Sequence, residues 1–432
     1  MVPLQTNSVK IKVGHITRVE GHGNIVVDVR SGEIRRCDLE IIEAPRYFES
    51  MLRGRPYHQA PHLASRICGI CAVTHASASI RAVEKALGIV PSEQTNLLRR
   101  LNLNGEMLDS HILHVFMLVA PDFLNVGSVI ALAKVDPSIV KMALRMKKIA
   151  GDICAAVCGR HTHPISMVEG GFTSYPSKTV LTNLRKRLEE SRTDVDRMLE
   201  LFSGLEMPDF ARETEYISLT KDDEYCFLDG EIASTDSGRR PIEGYRGVTN
   251  EFQVFHSTAK HSQHQRQSYM VGALPRFKNN YQQLHPKARD AAASLNIDPV
   301  CTNPYMITIA QVVEIVHCVE DSIQVIQKLV SNGISREEPL GPARMSGEGV
   351  GACEAPRGTL YHNYLIHDGL IAEANCIIPT AQNLANIEAD MRALVPKILD
   401  QPSDKIRMAL EMLVRAYDPC ISCSAHMLEV EF

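Results

Sequence analysis

Two cysteine pairs at opposite ends of the chain constrain its fold more than any other feature. RICGICAVTH, Arg66 to His75, carries Cys68 and Cys71 in a C-x-x-C with His75 following. DPCISCSAH, Asp418 to His426, repeats the device with Cys420, Cys423 and His426. A C-x-x-C sets two thiolates close enough to chelate one ion. Two pairs give four sulfurs, which suits zinc, an iron–sulfur cluster or another thiophilic metal. Zinc ribbons usually hold their pairs within tens of residues, whereas these pairs stand about 350 positions apart. If both serve one centre, the chain must fold back on itself end to end. That convergence on one metal is the reading adopted here. Spacing alone leaves a structural zinc open and does not name the metal.

Length and composition narrow the class. The chain has 432 residues, 44% of them apolar, and length alone suggests about two to three domains. No fixed-period repeat or low-complexity linker divides it. The expected layout is therefore a β-rich region over 1–45 and a helical body over 46–432 that are not independently folding domains. A net charge of −5 and a pI near 6.4 give no general basic field for nucleic acid. Arg99-Arg100 and Lys147-Lys148 fall in helical patterns and read as solvated faces. The opening MVPLQTNSVKIKVGH lacks the architecture of an export signal. The apolar stretch from His111 to Val135 is broken by His114, Pro121, Asp122 and Asn125, short of a clean span of about 20 residues. The twelve cysteines are spread over a long chain, which favours a reducing compartment. A soluble protein is expected.

The pattern of apolar residues predicts mainly helix with a small N-terminal antiparallel sheet, an α+β fold. Val9, Ile11 and Val13 alternate with polar residues, and NIVVDV (24–29) and IRRCDLEII (34–42) flank a hairpin-like turn. RVEGHG, 18–23, is the loop between the first two runs. Val73, Ala76, Ile80, Val83 and Leu87 mark one helix face, so Cys68 and Cys71 stand at a helix mouth with His75 one turn inside. Ser92 is a candidate N-cap for the next helix. A third follows Asp136-Pro137 and stops near Gly159. Further helical patterns cover about 180–203, 307–332 and 381–416.

RVEGH, RICGIC-x-x-x-H, the mid-chain EAPRGTL (354–360) and the terminal DPC-x-x-C-x-x-H together resemble the large subunit of nickel–iron hydrogenases. PRYFESMLRGRP (45–56), HILHVFMLVAPDFL (111–124), HTHPISMVEGG (161–171), KHSQ (260–263), YMVGALPRF (269–277) and IIPTAQN (377–383) extend the likeness, in order, over nearly the whole chain. The APD and PTAQN variants look most like the cytoplasmic, cofactor-coupled, bidirectional group. The resemblance implies a long-helix bundle of the kind found in a relative within respiratory complex I, and reversible heterolytic cleavage of dihydrogen.

It also implies roles for individual residues. Cys68, Cys71, Cys420 and Cys423 match the nickel ligands, with Cys71 and Cys423 bridging to an iron that carries carbon monoxide and cyanides. Splitting dihydrogen needs a metal to take hydride and a base to take the proton. Glu20 matches the proton gate; read from residues alone it would be a surface acid paired with Arg18. Arg357, in the stiff Pro356–Gly358 turn, matches the arginine over the open metal position. Asp109 and Asp418 match its two acidic partners. Asp109 sits beside an apolar helix face, where an acid is usually paired, and a plain structural ion pair is its alternative. Thr380 matches the hydroxyl donor to a cyanide, and His75 a histidine that bonds a bridging cysteine. Glu49, His426 and a main-chain carbonyl near Cys376 match a second site for magnesium or iron. His111 and His114 read as satisfied core histidines, and Cys154 with Cys158 as packing.

The tail after His426, MLEVEF, is very short. Most relatives lose a longer tail by cleavage after that histidine, so this chain is either an unprocessed form or one that skips the step. Glu169 replaces a proline common among relatives. Oxidation of dihydrogen releases electrons, and the chain has no further cysteine cluster able to hold an iron–sulfur centre. A small subunit bearing such clusters is the implied partner, with further carrier subunits linked to NAD(P), ferredoxin, a deazaflavin or a heterodisulfide. A hydrogen sensor is the alternative with the same centre. The complex I relative lacks the cysteine quartet and fits less well.

Overall fold

The computed structural model of the chain describes residues 9–425. The alternating N-terminal segments form Val9–Val13, Gly23–Arg30 and Glu33–Ile41, a three-stranded antiparallel sheet in sequence order. Ser31 and Gly32 both take positive φ at the hairpin, as a two-residue turn between twisted strands requires. One face buries Ile11, Val13, Ile25, Val27 and Leu39. The RVEGHG loop leaves the sheet at the Gly23–Ile41 end.

Helices make up most of the remainder. Glu93–Ile112 starts where Ser92 Oγ accepts the Thr95 N–H at 3.1 Å, and it runs on through wider π-type turns at Leu113–Val119. Pro137–Cys158 is capped by Asp136 and ends on Gly159 at φ +79°. Both expectations hold. Ile307–Asn332, 26 residues and roughly 40 Å long, is buried along most of its length. Glu93–Ile112 and Lys178–Glu190 pack against it, and Pro137–Cys158 packs on Glu93–Ile112. The patterns at 180–203 and 381–416 each resolve into two helices. One pair breaks at Ser191, the other between Ile398 and Ser403 beside Pro402.

The Gly- and Pro-rich segments hold strands that apolar alternation does not reveal. Gly347–Ala355, Gly358–His367 and Leu370–Ile377 form a second antiparallel sheet. Glu215–Thr220, Glu231–Ser234, Gly238–Arg240 and Tyr269–Met270 form a third. The fold is thus mainly helical α+β, with more sheet than its N-terminus alone.

One contact fixes the geometry of everything that follows. Gly347, Gly349 and Gly351 line one face of their strand. A Cβ there would lie 2.3, 2.2 and 2.0 Å from the carbonyl oxygens of Ala86, Ala82 and Ala78. Helix Ala72–Leu87 therefore rests directly on strand backbone, its every-fourth alanine matching an every-second glycine. Cys71 caps that helix, and that strand leads into the Pro356–Arg357 turn. A contiguous buried core runs from Ile11 to Ala425. Among the described residues no helix is long and apolar enough to cross a membrane.

Candidate metal centre

Each cysteine motif sits at the mouth of a helix: Cys71 caps Ala72–Leu87, and Cys420 caps the short Ile421–Ser424. Two devices bring the motifs together. The RVEGH loop lies alongside the C-terminal motif in a parallel bridge, Glu20 against Cys420, with the Ile421 N–H donating to Glu20 O at 2.9 Å. Gly21, at φ +88°, permits this: a Cβ would come within 2.7 Å of Ile421 Cβ. Arg46 is the second device. Its Nη2 donates to Ile67 O at 2.7 Å and also to Ser422 O, so one guanidinium clasps both cysteine segments.

The four thiols meet. Cys68 and Cys420 Sγ are 3.6 Å apart. The sulfurs of Cys68, Cys420 and Cys423 lie within 4.8 Å of one another, and so do the ligating atoms of Cys71, His75 and Cys423. All four cysteines are buried and none is in a disulfide. Sulfurs bound at about 2.3 Å to one metal sit roughly 3.3–3.8 Å apart, so the set fits a thiophilic ion. Hydrogen bonds from Cys420 first, then Cys423 and Cys71, hold Cys68 well below the usual thiol range. The Cys68 sulfur also accepts the N–H groups of Ile70 and Cys71 at 3.2 and 3.1 Å. These contacts favour the thiolate form, the one a thiophilic metal binds.

Around the quartet the expected residues fall into three groups. Glu20, Thr380, Arg357, Asp418 and His75 converge on it. Glu20 Oε2 accepts the Cys420 thiol at 3.1 Å, and the Ser422 hydroxyl donates to Oε1. Arg18 turns away to Asp122, so the surface-pair reading of Glu20 does not hold. Thr380 Oγ1 accepts the Cys420 N–H at 3.0 Å. Arg357 Nε donates to Asp418 O at 2.6 Å and Nη2 to Asp418 Oδ1 at 3.0 Å. Burial opposes the Arg357 charge, but Asp418 and the cysteine sulfurs outweigh it and hold the guanidinium charged. Its Nη1 is buried with no hydrogen-bond partner among the described residues. His75 Nδ1 faces His362 Nε2 at 3.2 Å, and burial pushes His75 down to about 4, so it stays neutral.

Asp109 is the correction. It pairs with Lys147 at 2.5 Å, and no ion pair joins it to Arg357 among the described residues. Its contact is that of a plain ion pair, and among the described residues Asp418 is the carboxylate that Arg357 contacts. Gln311 Nε2 reaches Asp418 Oδ2 at 3.4 Å from the long helix.

Glu49 lies apart, at a polar cavity of about 340 Å³ with Glu251, Lys260 and Asn375. It accepts the Cys376 N–H at 2.6 Å, and burial pushes it up to about 7. His426 lies outside the described residues.

Sequence reasoning missed the support of the Arg357 turn. Arg276, fully buried, donates to Ala355 O at 2.8 Å and Pro356 O at 3.0 Å. Its remaining bonds go to Glu314, at 2.7 Å twice, and Glu354 at 3.0 Å. His111 and Tyr225 complete Glu314. Burial works against the charge of Glu314, but Arg276 overrides it and holds that carboxyl near 2. YMVGALPRF contains Arg276 within an apolar run, which was the available signal. Arg276→Leu strands two buried carboxylates and is expected to cost about 3–5 kcal/mol. Thermal melting of the purified complex checks this, and an unchanged midpoint would refute the network's weight.

Comparison with known proteins decides the family. The family model for nickel-dependent hydrogenase matches residues 46–141 and 232–426, a span that holds all four cysteines. The chain belongs to the nickel-dependent hydrogenase family. As a hydrogenase large subunit it is an oxidoreductase acting on hydrogen, with nickel and iron at its active site. It is 33% identical to the alpha subunit of sulfhydrogenase 1 of Pyrococcus furiosus, over 97% of this chain and 98% of that one. The beta subunit of the NAD-reducing hydrogenase HoxS of Cupriavidus necator is 27% identical, over 97% and 95%. A crystal structure of an NAD+-reducing NiFe hydrogenase superposes with a TM-score of 0.84 at 26% identity, covering 97% of this chain and 99% of that one. The hydrogenase fold is thus shared along almost the entire chain.

Proposed function

We propose that Cys68, Cys71, Cys420 and Cys423 hold a nickel–iron centre whose iron carries carbon monoxide and cyanide, and that dihydrogen is cleaved there heterolytically and reversibly. The convergence of four buried thiols with Glu20 against Cys420 carries this reading. When bound, the metals supply the redox change and the Lewis acidity that polarises dihydrogen. Cys420 Sγ is the first proton acceptor, and Glu20, 3.1 Å away, takes the proton onward. Glu20 is half-buried, so its carboxylate spans the buried sulfur and the outer loop. The Ser422 hydroxyl and N–H hold it in place. Arg357 presents its unpaired Nη1 in the buried site while Asp418 fixes the rest of the fork. Thr380 accepts from Cys420, leaving its own hydroxyl proton for a ligand of the iron. The Pro356 carbonyl, tied to Arg276, sets the turn.

Glu49, the Cys376 main chain and His426 are the proposed holders of a magnesium or iron ion. A carboxyl raised by burial beside a polar cavity supports a cation there. The electrons pass to a partner bearing iron–sulfur clusters, the small subunit, and then to a soluble carrier, in the cytoplasm. The names of the relatives, each one chain of a larger hydrogenase, and the lack of a further cluster site in the sequence support this arrangement.

Elemental analysis of the purified complex tests the centre. One nickel per chain, infrared bands of carbonyl and cyanide, and hydrogen-dependent dye reduction are expected. Zinc alone, with none of those bands, would overturn the proposal. Arg357→Lys is expected to lower turnover about 100-fold at unchanged nickel content, since an ammonium cannot keep the fork on Asp418 and also present a donor inward. Native turnover in that variant would reduce the arginine to scaffolding.

A further inference from the structure

We infer that His256, His261 and Glu388 form a binding site for a divalent transition metal, zinc by preference, separate from the cysteine quartet. Their ligating atoms lie within 4.8 Å of one another. Glu388 Oε1 is 2.8 Å from His256 Nε2 and 3.6 Å from His261 Nε2. Two ligands at about 2.0–2.1 Å on a tetrahedral zinc stand roughly 3.3 Å apart, and the two distances bracket that value.

A hydrogen bond accounts for His256 against Glu388. It does not account for His261. That ring is 1% exposed, its one charged neighbour, Glu388 Oε1, stands 3.6 Å away, too far for a hydrogen bond, and neither ring nitrogen has a hydrogen-bond partner among the described residues. Leaving a buried imidazole unsatisfied costs free energy that a ligated ion would remove. His256 Nδ1 likewise has no hydrogen-bond partner among the described residues, and Asp38 Oδ2 stands 4.0 Å from it. Carboxylates in that position commonly orient a ligating ring. Asp38 is itself held by Arg36 and Arg392, so it is placed for the outer role.

Two imidazoles and one carboxylate select zinc, cobalt or nickel over calcium and magnesium, and they leave a fourth position for water. The site joins three pieces of chain. Leu39 of the N-terminal sheet donates its N–H to Glu388 Oε1 at 2.9 Å. Glu388 belongs to helix Pro379–Ile398, which also carries Thr380, and the histidines come from the loop around 250–265. A bound ion bolts that loop and sheet to that helix.

Cobalt(II) added to the nickel-loaded complex is the probe. An N/O set gives weak visible d–d bands without the strong near-ultraviolet sulfur-to-cobalt transition that any free cysteine site would show. This separates the site from the quartet whatever the quartet holds. The native complex is expected to bind one equivalent with such a spectrum, displaced by zinc. Loss of an outer partner alone commonly weakens metal binding 10–100-fold, so His261→Gln and His256→Asn should each weaken it at least about 100-fold, with nickel content unchanged. His256→Asn, at the less buried ring, serves where the buried substitution fails to fold. Cobalt bound equally by the native complex and His256→Asn, or no stoichiometric d–d spectrum in the native complex, would overturn the inference.

Discussion

Cys423→Ser is expected to remove nickel from the chain and abolish hydrogen turnover. Its sulfur belongs to both groups of converging ligands, one with Cys68 and Cys420, the other with Cys71 and His75. It is the shared corner of the quartet. A serine hydroxyl ionises far less readily than a thiol and is a harder donor, so it neither binds nor bridges thiophilic metals comparably. Members of a group that acts as a unit cost on the order of 10⁴-fold or more when one is removed. Serine is close in size, and Cys423 Sγ lies 3.7 Å from Ile67 O, a long contact, so the fold should survive. Nickel per chain and hydrogen-driven dye reduction are the measurements. Full nickel with normal turnover would sink the four-thiol centre.

Glu20→Gln separates proton traffic from metal binding. Glutamine keeps an acceptor for the Ser422 hydroxyl and leaves the Glu20 main-chain bond to Ile421 untouched. It cannot accept and release a proton at neutral pH. Turnover and formation of mixed isotopic hydrogen from D₂ and water should both fall about 10³-fold, within the range for a lost general base. Nickel content and infrared bands should match the native complex. Isotope exchange at the native rate would take Glu20 off the proton path.

Much of the site was legible because motif residues carry chemistry in their spacing. Both cysteine pairs, the glycine-bearing Glu20 loop and the Pro–Arg–Gly turn stand out as residue types. The helix from Val73 and the long 307–332 helix follow from apolar periodicity. The strand Gly347–Ala355 did not, because glycine has low strand propensity and no side chain to alternate. It is a strand only because a helix lies on its bare backbone, a tertiary effect. Asp109 misled for the opposite reason. Its place on the helix predicts that it is paired but not with whom, and Lys147 sat closer than Arg357. Arg46 was invisible as a support because a guanidinium bonding main-chain carbonyls leaves no complementary charge to find in the sequence. Arg276 stood out in its apolar run, but its partners Glu314 and Glu354 lie far along the chain and nothing in the spacing links them to it.

The glycine-on-alanine contact has a mechanical consequence. Where side chains mediate packing, rotamer changes let two elements drift. Here carbonyl oxygens meet α-carbons with nothing between, and neither side has a torsion to spare. The cysteine-bearing helix and the arginine-bearing strand therefore behave as a single girder. The backbones that carry the cysteine pair and the arginine turn are thus held against each other with no side-chain torsion between them.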